Sequence, residues 1–311
     1  MKPNAESDGS LDSELDLGRR RSLGLLAGLA GAAAGTALLR TGPAEAFATW
    51  RQPLGLPRAE PVFEIVDVTD YGAKGDGKTN DRAAIQRALD QIPPNGGVRV
   101  YFPHGDYIID STLFVRDQGA GFVIEGAGMF ASTLEWRGPA GHPMLYLTNC
   151  RYATIRQLGF YALEADADCA IESKGNAAAS NLVFDRVAID GLSARKHLEV
   201  GVRFTPNVDA GNDKSGFYSC YINGCKQAGV SFEHSQSKGH DFFDCFIRNT
   251  VRGVTTALGS QFQGGSFRWF GGYMGSNDVD FALGSLKNNN DPIVISGMGS
   301  ESSKMLLDQP T

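Results

Sequence analysis

Ionisable side chains stand directly before a series of short apolar runs that recur in this 311-residue chain. They are Asp166, Asp168, His197, Glu199, Lys226 and Arg252. Carboxylates and a histidine can supply a general acid and a general base, and cations can hold a sugar carboxylate. We therefore predict that Asp166, Asp168, His197 and Glu199 are catalytic and that Lys226 and Arg252 bind substrate. For any single residue, an ordinary turn on a solvated face is the alternative, so the prediction depends on the set.

Further polar residues lie in the segments that follow those runs. Asp213, His240 and Asp241 are predicted here as additional substrate-binding residues. A cation with a histidine can remove the proton beside a uronate carboxylate, and acidic residues hold Ca²⁺ in some lyases. We predict no metal site and no cofactor, with Ca²⁺ expected only if the chemistry is that of a lyase. The alternative for His240-Asp241 is a polar turn before Phe242.

The apolar runs repeat with a long period. One alignment places Ile155, Phe184, Tyr218, Phe243, Phe270 and Ile295 in a column, at spacings of 25 to 34 residues. A second column begins at Ala170, Gly201, Gly229, Gly253 and Val279. Periods of this size are typical of a solenoid with two strand columns per coil. A leucine-rich repeat has a similar period, but its Leu-x-x-Leu-x-Leu frame is absent.

One helix is predicted before the repeats. A glycine-punctuated loop at residues 70–81 leads into an amphipathic segment with Ile85, Leu89 and Ile92 on one face. Thr79 is the expected N-cap, and Pro93-Pro94 must end the helix, which gives a helix over about residues 79–92.

Residues 66–115 closely resemble the N-terminal signature of the pectate-lyase superfamily, of the polygalacturonase-like and pectate lyase type 3 kind. The resemblance implies an all-β fold, a right-handed parallel β-helix with a short N-terminal capping helix. It would form a single domain at residues 66–311, with rungs at about 98–307. The run from Asp166 to Ile171 is also similar to the polygalacturonase motif Gly-Asp-Asp-Cys-Ile-Ala-Ile, whose aspartates are catalytic, although here the carboxylates are separated.

The N-terminus is typical of an export signal. Arg19-Arg20-Arg21 precedes an Ala- and Gly-rich apolar stretch from Leu23 to Leu39, and small residues at 44–48 suit cleavage. We predict a Tat-type signal at residues 1–48 and a linker at 49–65, hence a periplasmic or secreted protein with no membrane contact after cleavage. A transmembrane anchor is the alternative, but the stretch is short and weakly apolar for a span.

Composition excludes some classes of function. The formal charge is −6 and the pI is near 5.4, so we expect no nucleic-acid partner. The five cysteines show no C-x-x-C spacing and are expected in the core rather than in a zinc site or a disulfide framework.

Together these features predict an exported polysaccharide-active enzyme, a glycoside hydrolase or a polysaccharide lyase, that works in a groove along the rungs. A non-catalytic glycan-binding or surface-assembly β-helix is the alternative. Because the last repeat runs almost to Thr311, either a homo-oligomeric partner covers that end of the solenoid or the chain is truncated.

Overall fold

Parallel strands stack into three sheets in the computed structural model of the chain. The structure describes residues 64–311 except for 117–120, 175–180, 206–213, 234–238, 257–266, 284–292 and 309–311. The predicted export signal and residues 49–63 of the predicted linker lie outside the described residues, as does Asp213. The chain divides after Pro61, and residues 62–311 form the solenoid unit.

Each coil after the first contributes one strand to each sheet, and the first contributes strands to sheets A and B only. Strands are numbered in chain order. Sheet A contains β1 (Glu64–Asp67), β3 (Val98–Phe102), β6 (Val123–Gly126), β9 (Thr154–Arg156), β12 (Val183–Asp185), β15 (Gly216–Tyr218), β18 (His240–Phe243), β21 (Phe267–Phe270) and β24 (Ile293–Ser296). Sheet B contains β2 (Asp76–Asn80), β4 (Gly105–Ile109), β7 (Ser132–Trp136), β10 (Gly159–Tyr161), β13 (Ala188–Asp190), β16 (Tyr221–Asn223), β19 (Phe246–Arg248), β22 (Tyr273–Gly275) and β25 (Gly299–Glu301). Sheet C contains β5 (Leu113–Arg116), β8 (Leu145–Thr148), β11 (Ala167–Lys174), β14 (Leu198–Thr205), β17 (Cys225–Phe232), β20 (Arg252–Thr255), β23 (Val279–Ala282) and β26 (Met305–Asp308).

This architecture confirms the predicted parallel β-helix. Two strand columns were expected, whereas the structure has three sheets. From β9 onward the strands of sheets A and B have only three or four residues, and two residues separate them, so each pair reads as one apolar run in the sequence. At this corner one residue has a positive φ in coil after coil: Gln157, Arg186, Ser219, Asp244 and Gly271.

The core is built from side chains that repeat in register. Phe184, Phe217, Phe242 and Trp269 are buried neighbours on β12, β15, β18 and β21. Their rings stack with centroids 4.7, 4.5 and 5.0 Å apart. All five cysteines are also buried, as expected for core residues.

The predicted alignment of the first column was wrong by one residue at three coils. From Ile155 and Phe184 the column continues through Phe217, Phe242 and Trp269. The predicted members Tyr218, Phe243 and Phe270 are each one residue further along their strands. Successive side chains of a strand point to opposite faces, so this shift places Tyr218, Phe243 and Phe270 on the outside. Aromatic residues occupy both faces of these strands, and hydrophobicity therefore could not reveal the register.

The helix α1 (Arg82–Leu89) lies within the predicted range but starts later. A 3₁₀-helix (Val68–Tyr71) precedes it, and Thr79 belongs to β2 rather than to the N-cap, which is Asp81. The buried Asp81 carboxylate accepts hydrogen bonds from the backbone N–H groups of Lys74 and Gly75 at 2.7 and 3.0 Å. It therefore fixes the glycine loop instead of capping α1. No helix among the described residues has the length and apolar character required to cross a membrane.

The last coil exposes apolar side chains. Ile295, Met305 and Leu307 pair with Trp269, Val279 and Phe281 of the preceding coil, yet each of the three is at least 36% exposed. The homo-oligomeric partner predicted to cover this surface stays a prediction.

The stacked core predicts a large effect of truncation. Phe217→Ala removes a buried ring that stacks on both sides, so we expect the free energy of unfolding to fall by about 3–5 kcal/mol. Phe130→Ala is the control, because this ring is 62% exposed, and we expect it to change stability by about 1 kcal/mol or less. Urea unfolding followed by circular dichroism measures both, and equal losses would contradict the assigned core.

Candidate functional site

The predicted catalytic residues lie where three long strands of sheet C begin. β11, β14 and β17 each contain eight residues. Ala167 pairs with Leu198, which in turn pairs with Cys225. The strand register therefore brings residues 31 and 60 positions apart in the sequence into contact on one surface.

Four of the predicted residues form one connected group, called here the His197 cluster: Asp166, His197, Glu199 and Lys226. His197 Nδ1 lies 2.6 Å from Asp166 Oδ1. An ionised carboxylate only accepts hydrogen bonds, so Nδ1 carries the proton and donates it. In the neutral ring, Nε2 then holds the free lone pair. This atom is buried and has no hydrogen-bond partner in the described part of the chain.

Lys226 joins the two carboxylates of this cluster. Its Nζ lies 3.4 Å from Asp166 Oδ2 and 3.1 Å from Glu199 Oε1. Gln227 donates to the other oxygen of Glu199 at 3.1 Å. The hydrogen bond from His197, together with the charge of Lys226, lowers the pKa of Asp166. Asp166 is therefore ionised near neutral pH and holds His197 in the tautomer that leaves Nε2 unprotonated.

Asp168 belongs to a separate network. Arg203 Nη1 donates to its carboxylate, and Arg203 Nε lies 3.3 Å from Glu233 Oε1. Glu233 also accepts from the Ser231 hydroxyl at 3.0 Å. We call Asp168, Arg203 and Glu233 the Arg203 network. Two carboxylates on one guanidinium favour a structural ion pair, and the predicted catalytic role of Asp168 has no support from this geometry.

Sequence reasoning missed Arg203 and also Glu172. Glu172 lies on β11 beside Arg203 on β14 and accepts a hydrogen bond from the Thr205 hydroxyl at 3.0 Å. Burial raises the pKa of Glu172. The sequence signal that could have identified them is a charged residue at an outward position of a strand, flanked by apolar residues. Glu172 also lies within 4.8 Å of the Asp168 carboxylate.

A small apolar patch lies between the two charged groups. Cys169, Val200 and Ala228 are buried together, apart from the main core. Arg252 is the next residue in this register, paired with Ala228. Arg252 therefore lies one strand beyond the His197 cluster on the same sheet and makes no ion pair with a carboxylate of the described residues.

Two predicted substrate-binding residues lie elsewhere. His240 is 2% exposed and points into the solenoid, where its ring stacks on Phe232 at 3.9 Å. It cannot contact a ligand on the surface, because alternation along β18 directs it inward. Asp241 points outward from sheet A and pairs with Arg268, away from the His197 cluster on sheet C.

The described residues offer one group with the spacing of metal ligands. Ligand-type atoms of Asp168, Cys169 and Glu172 lie within 4.8 Å of one another. A thiol is not a ligand that Ca²⁺ prefers, and Arg203 already occupies the Asp168 carboxylate. This group fits Ca²⁺ poorly.

A family model described as rhamnogalacturonase A/epimerase, pectate lyase-like, matches residues 65–263 of the chain. The chain belongs to this family. The match includes the sheet C strands that carry the His197 cluster and the Arg203 network.

Several similar proteins have names that refer to polysaccharides. Alginate lyase 7 of Azotobacter vinelandii is 43% identical over 70 residues, which are 20% of this chain and 8% of the lyase. The A-module of mannuronan C-5 epimerase AlgE6 from the same organism has a TM-score of 0.53 at 18% identity, covering 78% of this chain and 75% of the module. The GH87 α-1,3-glucanase of Streptomyces thermodiastaticus has a TM-score of 0.50 at 14% identity, covering 76% of this chain and 46% of the glucanase. These structures show a shared fold, and the sequence match spans less than a tenth of the alginate lyase.

The buried His240 predicts a pH-dependent stability. Burial lowers the pKa of His240 from 6.5 to about 3. Between pH 6.5 and pH 3 the unfolded chain binds a proton at His240 that the folded chain excludes. The free energy of unfolding therefore decreases as the pH falls below 6.5. From pH 7 to pH 4.5 we expect the wild type to lose about 2–3 kcal/mol more than His240→Phe.

Denaturant unfolding at both pH values measures this difference. His104→Phe, at an exposed histidine, should keep the wild-type slope. A His240→Phe variant with the same pH dependence as the wild type would show that this histidine titrates normally.

Proposed function

We propose that the protein is an exported lyase that cleaves a uronic-acid polysaccharide by β-elimination on the outer face of sheet C. One observation carries the proposal. His197 is held by Asp166 at 2.6 Å with Nε2 unpartnered in the described part of the chain, and Lys226 lies beside the same carboxylate. A carboxylate–histidine pair of this kind is a general base oriented for proton removal.

The chemistry assigned to these residues is as follows. His197 Nε2 is buried in the free chain, so the substrate must first displace the side chains that cover it. Nε2 then removes the proton from the carbon next to the uronate carboxylate, and Lys226 stabilises the negative charge that develops there. The released electron pair forms a carbon–carbon double bond as the glycosidic carbon–oxygen bond breaks. The imidazolium of His197 then returns the proton to the leaving oxygen. The products are a new sugar end and an unsaturated uronate.

The carboxylates are less suited to hydrolysis of a glycosidic bond. That reaction needs two carboxyl groups about 5–10 Å apart, one of them protonated. Asp166 is held ionised, and Asp168 is neutralised by Arg203. Glu172, whose pKa is raised by burial, lies within 4.8 Å of the Asp168 carboxylate, which Arg203 holds in an ion pair.

The comparisons support a polysaccharide substrate. The similar proteins include a lyase and an epimerase whose names refer to alginate and mannuronan. The export signal predicted at residues 1–48 is consistent with a substrate outside the cytoplasm.

The test measures products from uronic-acid and neutral polysaccharides with the purified chain, in Ca²⁺ and in chelator. We expect ultraviolet absorbance from the unsaturated product to rise together with reducing ends. His197→Gln and Asp166→Asn should each lower the rate by about 10²-fold or more, because the base is lost or misoriented.

Asp185→Asn is the matched control, since this carboxylate pairs with Arg186 on sheet A, and it should keep wild-type activity. Release of reducing ends without a rise in ultraviolet absorbance would contradict β-elimination and indicate a hydrolase. Inverted uronate stereochemistry in proton NMR without cleavage would indicate an epimerase. No product from any polymer, with folding verified, would favour the non-catalytic glycan-binding alternative.

A further inference from the structure

A pocket opens on the outer face of sheet A, where one side chain is missing from a column. Val183, Gly216, Asp241 and Arg268 are register neighbours on β12, β15, β18 and β21. Gly216 leaves a gap between Val183 and Asp241. The cavity has a volume of about 340 Å³, within the range of small-ligand sites. Its lining includes Lys214, Ser215, Gly216, Tyr218, Asp241 and Arg268.

An aromatic ring forms one wall of this space, called here the Tyr218 pocket. Tyr218 is 38% exposed, and its ring folds back over Gly216, so that a Cβ atom at 216 would lie 2.7 Å from Tyr218 Cε2. Phe243 stacks on Tyr218 with centroids 5.4 Å apart and nearly parallel planes. The ring is therefore held in place and offers apolar surface to a bound molecule.

A fixed guanidinium also lines the pocket. Arg268 donates from Nε and Nη2 to the two oxygens of Asp241 at 2.6 and 2.7 Å. This bidentate pair fixes the plane of the guanidinium and leaves the Nη1 hydrogens for another acceptor. Asp241 in turn keeps lone pairs that can accept from sugar hydroxyls.

Two further polar groups lie in the lining. Lys214 is exposed and makes no ion pair with a carboxylate of the described residues. Ser215 is 1% exposed and its hydroxyl is buried. Alternation with the outward Gly216 directs this side chain inward, beside His240, whose Nδ1 accepts from the Ser215 backbone N–H at 3.4 Å. Ser215 therefore offers no hydroxyl to a ligand on the outer face. With Arg268 and Lys214 against Asp241, the pocket has a net positive charge in a protein of formal charge −6.

We propose that the Tyr218 pocket binds a uronic-acid residue of a polysaccharide at a second site, on a different sheet from the His197 cluster. The Tyr218 ring contacts the apolar face of the pyranose. Arg268 and Lys214 hold its carboxylate, and Asp241 accepts hydrogen bonds from its hydroxyl groups. Such a site retains the polysaccharide on the protein while another part of the same polysaccharide lies on sheet C.

The pocket is tested by calorimetric binding of short uronate oligosaccharides to the full chain carrying Asp166→Asn and His197→Gln, so that no probe is consumed. We expect saturable binding that weakens with added salt. Lys214→Met with Arg268→Gln should lower the affinity at least tenfold, and Tyr218→Ala should do the same by removing the ring. Arg186→Gln, which alters an exposed arginine paired with Asp185, is the matched charge control and should bind normally.

The contrary results are distinct. Unchanged affinity in the folded Lys214→Met and Arg268→Gln double variant would overturn the site, as would the absence of binding to every uronate probe at millimolar concentration. Equal affinity for neutral oligosaccharides would overturn the assignment of a uronate. The assay measures binding in a variant without the proposed base, so its result does not depend on whether the wild type is a lyase.

Discussion

Hydrogen bonding between parallel strands holds equivalent residues of successive coils about 4.8 Å apart, and this spacing governs both the core and the surface. Inside, it stacks Phe184, Phe217, Phe242 and Trp269 at ring contact. Outside, it brings His197 to Asp166 and Lys226 to both Asp166 and Glu199. A side chain of one coil thus meets its chemical partner in the next coil, 31 residues later for His197, or two coils on, 60 residues later for Lys226.

The two charged groups on sheet C show how this spacing assigns different roles to similar residues. Asp166 and Asp168 are two positions apart on the same chain segment. Asp166 meets a histidine and a lysine, which keep it ionised, and its carboxylate orients the histidine ring. Asp168 meets Arg203, which also contacts Glu233 and so closes a network of opposite charges. The difference comes from the neighbouring strand, since the two aspartates share the same local sequence.

Sheet A presents a second kind of surface. From β12 to β21 its central inward residues are aromatic, and so are several outward ones, among them Tyr218 and Phe243. A single glycine in the outward column, Gly216, opens the space into which Tyr218 leans and which Arg268 and Asp241 border. The same rule of alternation buries His240 and exposes Asp241, although the two are adjacent in the chain.

The sequence by itself determined the solenoid, the helix before it and the residues of the His197 cluster, because the repeat length and the signature at residues 66–115 are local patterns. It did not determine the strand register: aromatic residues on both faces made Tyr218 and Phe217 equally suitable for the core. It also did not reveal the third sheet or the roles of Arg203 and Glu172. Those depend on which side chain a neighbouring coil places about 4.8 Å away, and only the tertiary structure decides that distance.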